Sequence, residues 1–286
     1  MHRLFILLFT LLFSGGCQDF GELELLRSLP ASLKEVSGME LAGDEIHLWA
    51  INDSANEAKL FLYDPNENTV KHTIEIANGS NKDWEDLATD AEGNVYIGDF
   101  GNNRNSREDL VIYTLPNALT IETTAAEALI TEFSFEDQKE YPPKKKDRNF
   151  DVEAFIHYNS NFYLFTRNRS SDFDGTTKLY RVPAKPGAYT AELLDEYKTC
   201  GDSDDCMVTA ASFHAASGKL ALLSYNKVWI LSEFSGDAFF DGKVEKIKLG
   251  HSSQKESISF QNENTLLIAD ETTGIEGGNL YRLKLD

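Results

Sequence analysis

Five short segments recur at equivalent places along this chain, and they constrain its architecture more than any other feature. They are VSGM (Val36 to Met39), WEDL (Trp84 to Leu87), VEAF (Val152 to Phe155), VTAA (Val208 to Ala211) and KESI (Lys255 to Ile258). A more hydrophobic segment follows each in turn: LWAIND, VYIGDF, FYLFTRN, ALLSYNK and LLIADE. A repeat of this size is one supersecondary unit copied around an axis or along a line. Turn residues separate the two segments in every copy, as in Ala42-Gly43-Asp44 and Glu92-Gly93-Asn94, which predicts tight hairpins. A third strand-like run follows each hairpin: KLFLYD, LVIYTL, KLYRVP, VWILSE and NLYRLKL. A fourth follows in the first four copies only: VKHTIEI, ITEFSF, AELLDEY and KVEKIKL. The fifth copy stops at its third strand, and GELELLRSLP (Gly21 to Pro30) stands ahead of the first copy as the missing partner.

This pattern predicts an all-β chain. The expected fold is a five-bladed β-propeller of four-stranded blades, closed by the N-terminal strand joining the C-terminal blade. Such closure leaves only short, protected edges. A blade takes roughly 40–50 residues, and two of the intervals exceed that. The longer ones hold insertions, at Asp137 to Arg148 (with YPPKKKDR) and at the Cys200 to Cys206 loop. No segment carries the spacing of an amphipathic helix.

Aligned by repeat, the second position of each short segment reads Ser37, Glu85, Glu153, Thr209 and Glu256. In an antiparallel blade the innermost strand starts at the rim where the second strand ends. These five oxygen-bearing side chains are therefore expected around one mouth of the central channel. The loops after the second strands should surround them with Asp53, Asp99, Arg167, Arg169, Lys227 and Asp270. Carboxylates that converge on a narrow channel raise one another's pKa, and a divalent cation removes that conflict. A donor set of oxygen alone favours Ca²⁺ or Mg²⁺ over zinc. A roomy ring suits Ca²⁺ better than Mg²⁺, which demands tight octahedral geometry. The alternative is that the same groups hydrogen-bond the backbones of neighbouring blades.

Asp and Glu outnumber Lys and Arg by 47 to 27, for a net charge of -20. That excludes a nucleic acid partner, since a polyanion needs cationic neutralisation. The beginning of the chain reads as an export signal over residues 1–16. His2 and Arg3 precede the apolar run Leu4 to Phe13, which is too short to span a bilayer. FSGGC resembles a bacterial lipobox, which implies lipidation of Cys17, a short tether over 17–20 and a propeller over 21–286. The expectation is a monomeric envelope protein held to a bacterial membrane by its lipid alone. Cys200 and Cys206 then remain, around the polar turn GDSDD, and a local disulfide is expected in an oxidising compartment.

The order Ser, Glu, Glu, Ser/Thr, Glu around five blades resembles the calcium-activated nucleotidase (apyrase) family. SGMELAGDEIHLWAINDSANEAKLFLYD is similar to the opening blade of that family. The resemblance implies a central Ca²⁺ held by Ser37, Glu85, Glu153, Thr209 and Glu256, and hydrolysis of phosphoanhydrides. The family's acidic rim loop falls here on Asn52-Asp53-Ser54-Ala55-Asn56, without the family's arginine. WEDLATDAEGNVYIGDFGNN and ESISFQNENTLLIADE more loosely resemble the SdiA-regulated and esterase-like-phytase propellers of bacteria. Two readings stand side by side. One is a metal-dependent phosphoester or phosphoanhydride hydrolase, with Asp53, Asp99 or Asp270 as general base and Arg167 and Arg169 on the phosphate. The other is a non-catalytic propeller with a structural calcium, whose rim binds a small, possibly phosphorylated ligand or an envelope protein. No HExxH, phosphate loop or nucleophile-elbow pattern offers a third.

Overall fold

The computed structural model describes residues 18–44, 46–274 and 276–285. The expected signal segment, Cys17 and the expected lipid attachment lie outside the described residues. Among those described, no helix is long and apolar enough to cross a membrane.

β1 (Glu24–Ser28) precedes five groups of strands. The first group is β2 (Val36–Leu41), β3 (Leu48–Asn52), β4 (Lys59–Asp64) and β5 (Thr69–Ile76). The second is β6 (Trp84–Thr89), β7 (Val95–Asp99), β8 (Leu110–Leu115) and, after the two-residue β9 (Ala125–Ala126), β10 (Leu129–Phe135). The third is β11 (Asp151–Tyr158), β12 (Asn161–Arg167), β13 (Thr176–Pro183) and β14 (Gly187–Lys198). The fourth is β15 (Ala210–His214), β16 (Lys219–Leu223), β17 (Lys227–Ser232) and β18 (Lys243–Lys248). The fifth is β19 (Lys255–Asn262), β20 (Thr265–Asp270) and β21 (Asn279–Lys284).

Within each group consecutive strands pair antiparallel, so each is a meander. The fifth meander is completed by β1, which pairs with β21 from Glu24↔Arg282 to Ser28↔Asn279. The two ends of the chain thus share one blade, and the molecule is an all-β propeller closed as the repeat pattern predicts. Two additions escaped the repeat. β9 adds a parallel edge to β5, and β10 pairs in parallel with the extended β14. The outer strands of the second and third blades are thereby fused into one eight-stranded sheet.

The core follows the ring. Trp49, Ile51 and Leu60 of the first blade pack on Trp84, Ile97 and Leu115 of the second. Phe100, Ile112 and Phe133 meet Phe155, Phe162 and Tyr180 of the third. Ala154, Tyr163 and Phe165 meet Leu222, Trp229 and Leu231 of the fourth. Ala221, Leu223 and Val228 meet Ile258, Ile268 and Tyr281 of the fifth. Leu267, Ala269 and Leu280 return to Val36, Leu48 and Tyr63 of the first. Each large aliphatic or aromatic side chain so buried contributes roughly 1.5–3 kcal/mol, so every interface between blades is stabilised by several. The alternation of inward and outward residues on both faces of each blade explains why the second strands read as continuous apolar runs.

The innermost strands approach closely around the axis. A side chain at Gly38 would sit 2.8 Å from the Leu87 amide nitrogen, which accounts for a glycine inside β2. At the mid-depth of the channel the Asp86 carboxylate accepts hydrogen bonds from Leu87 N (2.9 Å), Phe155 N (3.0 Å) and Ala211 N (3.3 Å). One side chain of the second blade therefore ties the inner strands of the third and fourth. Glu40 of β2 likewise accepts from Ser212 (2.7 Å) of β15 and Ser259 (2.6 Å) of β19.

Candidate functional site: the acidic mouth of the channel

The inner strands share an irregularity. In β2, β6, β11 and β19 the register slips across one residue near the strand start: between Val36 and Gly38, Trp84 and Asp86, Val152 and Ala154, and Lys255 and Ser257. The skipped residues are Ser37, Glu85, Glu153 and Glu256. Each is the extra residue of a β-bulge, freed from ladder pairing and re-aimed. All four line a single cavity of about 230 Å³. Asp53, Asn103, Arg167, Arg169, Tyr225, Gln254 and Glu271 complete its wall. Thr209, the fifth equivalent, lies just ahead of β15. Its hydroxyl donates to the Lys255 carbonyl (2.6 Å), and it does not face the cavity.

The wall divides into two halves by charge. On one side Arg167 donates from Nη1 to Glu153 (2.8 Å) and from Nη2 to the Tyr225 hydroxyl (2.8 Å). The same Nη1 lies 3.8 Å from Glu256. The Tyr225 hydroxyl donates to Glu256 (3.1 Å). Arg169 bridges Asp151 (2.5 Å) and Glu153 (2.7 Å). Burial pushes Glu153 upward, but the Arg167 and Arg169 charges outweigh it and hold this carboxyl below its ordinary value. Burial raises Glu256 to about 8, against the pull of Arg167. Burial, with the Glu153 charge, raises Asp151 to about 7.

On the other side, among the described residues, no ion pair reaches Asp53, Asp83 or Glu85, although the charge of Arg107, itself paired with Asp99, pulls Asp83 down in part. Burial raises Glu85 well above the usual carboxylate range, reinforced by the charges of Glu153, Asp53 and Asp83. Burial and the Asp53 charge raise Asp83 to about 6. Burial, opposed by the Ser54 amide, still leaves Asp53 raised. Glu271 is raised to about 7 by burial and then by Asp53 and Glu35. Ser37, only 2% exposed, lines the same cavity with a hydroxyl that has no hydrogen-bond partner.

Local structure fixes these groups. The Asn81 amide donates to the carbonyls of Asn52 and Asp53 (both 2.9 Å), and its oxygen accepts from Trp84 N (3.1 Å). The turn that carries Asp53 is thereby tied to the start of β6. Asp99 accepts from Asp83 N (3.1 Å) and from Arg107 Nη2 (2.9 Å). Asn102 holds the following loop by accepting from Ser106 N (2.8 Å) and Arg107 N (2.9 Å).

The expected catalytic residues therefore separate. Asp53, Arg167 and Arg169 face the cavity. Asp99 and Asp270 do not: both are fully buried, and neither lines it. Asp270 accepts from Asn279 N (2.8 Å) and the Tyr281 hydroxyl (2.9 Å), which makes it a turn-fixing residue of the fifth blade. Lys227 pairs with Asp205 (2.9 Å), away from the mouth. Asp83, Tyr225 and Gln254 were not singled out by the repeat. Asp83 carried a signal, since it lies two residues before Glu85 in DWEDL. Tyr225 and Gln254 carried none, because their places depend on neighbouring blades. The Cys200–Cys206 disulfide is present, with Cα atoms 5.4 Å apart, on a loop outside the cavity.

Together these features define a β-propeller with an acidic, polar cavity at one mouth of its channel. No family model and no curated protein matches the sequence. Similar solved structures include a nidogen/laminin complex, at 10% identity and TM-score 0.49, covering 85% of this chain and 74% of that one. Another is the PQQ-bound aldose sugar dehydrogenase of Streptomyces coelicolor, at 11% and 0.49, covering 92% and 98%. A third is the Cps50 (Swd1) β-propeller domain of Myceliophteria thermophila, at 8% and 0.46, covering 92% and 100%.

Proposed function

We propose that this protein is a calcium-dependent binding propeller of the bacterial envelope, tethered through Cys17, that captures a small anionic ligand at the channel mouth. The observation that carries this reading is the split wall of one cavity. Uncompensated carboxylates and an unpartnered Ser37 hydroxyl face Arg167 and Arg169 across about 230 Å³. The donors are oxygens only, which fits a hard cation, with Ca²⁺ preferred over Mg²⁺. Ser37 and Glu85 line this cavity with oxygen donors that no cationic side chain pairs with among the described residues, whereas the Thr209 hydroxyl is already committed. When bound, the ion neutralises the acidic wall and polarises a ligand oxygen. Arg167 and Arg169 present guanidinium groups to the same space, and a phosphate is the anion they suit best. Asp99 and Asp270 are spent on structural hydrogen bonds, which favours binding over turnover.

One observation favours the hydrolase reading, which the resemblance to the nucleotidases also suggests. Asp53 faces the cavity and, among the described residues, accepts hydrogen bonds from Ser54 alone, through its amide and side chain, which leaves the carboxylate able to take a proton from water. A thermal-shift screen with phosphate, nucleotides and sugar phosphates, with calcium or with chelator, tests the binding reading. A calcium-dependent stabilisation by a phosphorylated ligand is expected. Phosphate release in the same mixtures would establish the hydrolase instead, and no shift with any anion would remove both.

A further inference from the structure

We propose that the cation sits off the channel axis, held by the carboxylates of Asp53, Asp83 and Glu85 with the Ser37 hydroxyl beside them. This rests on the reading above that a cation occupies the mouth. It replaces the five-fold ring by a one-sided site between the first and second blades.

Two acidic groupings at the mouth have the required closeness. In each, one oxygen from every member lies within 4.8 Å of the others: Asp53, Asp83 and Glu85 in the first, Glu85, Asp151 and Glu153 in the second. Ligands of one calcium ion stand 2.3–2.6 Å from it, so two of them are at most about 5 Å apart. Distance alone does not choose between the groupings, but compensation does. Asp151 and Glu153 are already paired with Arg169 and Arg167. A cation on that side would meet two guanidinium groups. Among the described residues, no cationic side chain pairs with Asp53, Asp83 or Glu85. The Arg107 charge, which also acts on Asp83, is already paired with Asp99.

Two further observations point to the same side. Ser37 is 2% exposed and its hydroxyl makes no hydrogen bond, yet it lines the same cavity as Asp53 and Glu85. A buried hydroxyl left unpaired carries an uncompensated desolvation cost, and ligating a cation relieves it. Gly101 is the second. A Cβ there would collide with the Glu85 and Asp83 carboxylates, so only glycine leaves these two groups room to converge. The backbone is fixed in advance: Asn81 clamps the Asp53 turn, and Asp99 holds the Asp83 amide. A site built from rigid, preplaced oxygens of this kind loses little on ion binding.

The test is isothermal titration of Ca²⁺ into the detergent-solubilised full chain after chelator treatment. The wild type is compared with Asp83→Asn, Asp53→Asn and Glu256→Gln, each with its melting curve in chelator as a check of folding. We expect one calcium per wild-type chain. Either aspartate change should weaken it at least about tenfold, and Glu256→Gln should leave it within about threefold. The two aspartate variants keep the test decisive should one fail to fold. Loss of binding in Glu256→Gln with both aspartate variants unchanged would overturn the off-axis site while leaving a cation at the mouth. Absence of calcium binding in the folded wild type would overturn both.

Discussion

Replacing Asp86 by alanine should loosen the ring itself. Asp86 is 1% exposed and its Oδ2 accepts the amides of Phe155 and Ala211, from the inner strands of the third and fourth blades. Alanine removes that acceptor and leaves both amides facing the channel without a protein partner. An unsatisfied buried donor costs about 1–3 kcal/mol, so Asp86→Ala should lose about 2–6 kcal/mol, the lower end applying if water fills the gap. Asp86→Asn keeps one carbonyl oxygen for the two amides, but turns an NH₂ toward Leu87 N, so it should lose less. The two variants also differ in pH response. Burial holds the Asp86 pKa well above the ordinary aspartate value. A carboxyl raised in the folded state binds its proton more tightly there than in the unfolded chain. Its penalty is absent below the unfolded pKa of about 3.9 and grows as pH climbs toward the folded value. The deficit of Asp86→Asn relative to wild type should therefore shrink as pH rises from 4 upward. Urea unfolding at several pH values, read by tryptophan fluorescence, measures both effects through the midpoint at constant m-value. A midpoint for Asp86→Ala within error of wild type would refute the claim that this carboxylate cross-links the blades. A deficit of Asp86→Asn that widened with pH would refute its sign.

Glu85→Gln should act in opposite directions with and without calcium. In chelator it removes one of three mutually repelling carboxylates and should raise stability by on the order of 1–2 kcal/mol at pH 7.5, read as a higher urea midpoint. In excess calcium the wild type should gain the more, because ligand binding stabilises by mass action and the variant binds less. Gly101→Ala should fold yet splay the Glu85 and Asp83 carboxylates, lowering calcium affinity in titration calorimetry without touching a ligand. Cys206→Ser opens a short loop, and chain entropy assigns that about 2 kcal/mol. Its calcium affinity should stay at the wild-type value, since the loop lies outside the cavity.

Much of this architecture was legible in the sequence because a propeller is periodic. The in-register Ser37, Glu85, Glu153 and Glu256 marked one structural position, and in three dimensions that position is a bulge in each inner strand. The pairing of β1 with β21 was legible from a missing strand at one end and a spare one at the other. What periodicity cannot convey is where a long side chain swings. Arg167 ends β12 as Asp99 ends β7 and Asp270 ends β20. The arginine reaches inward to Glu153, whereas both aspartates turn into their own blade edges. The equivalence of the five positions likewise hid the asymmetry of their surroundings. Thr209 meets the Lys255 carbonyl, Glu153 meets two arginines, and Glu85 meets neither kind of partner. The parallel edge between β10 and β14 was invisible for a similar reason, since it joins two blades rather than repeating within one.

The proposed divalent ion belongs to the Asp53, Asp83 and Glu85 side of the mouth. Crystals of the protein grown with calcium, with data collected at a long wavelength, test it most directly through the anomalous difference map. A single peak is expected, in contact with oxygens of those three carboxylates and beside the Ser37 hydroxyl. A peak on the axis between Glu153 and Glu256, with Arg167 displaced, would contradict it, as would an empty map at saturating calcium.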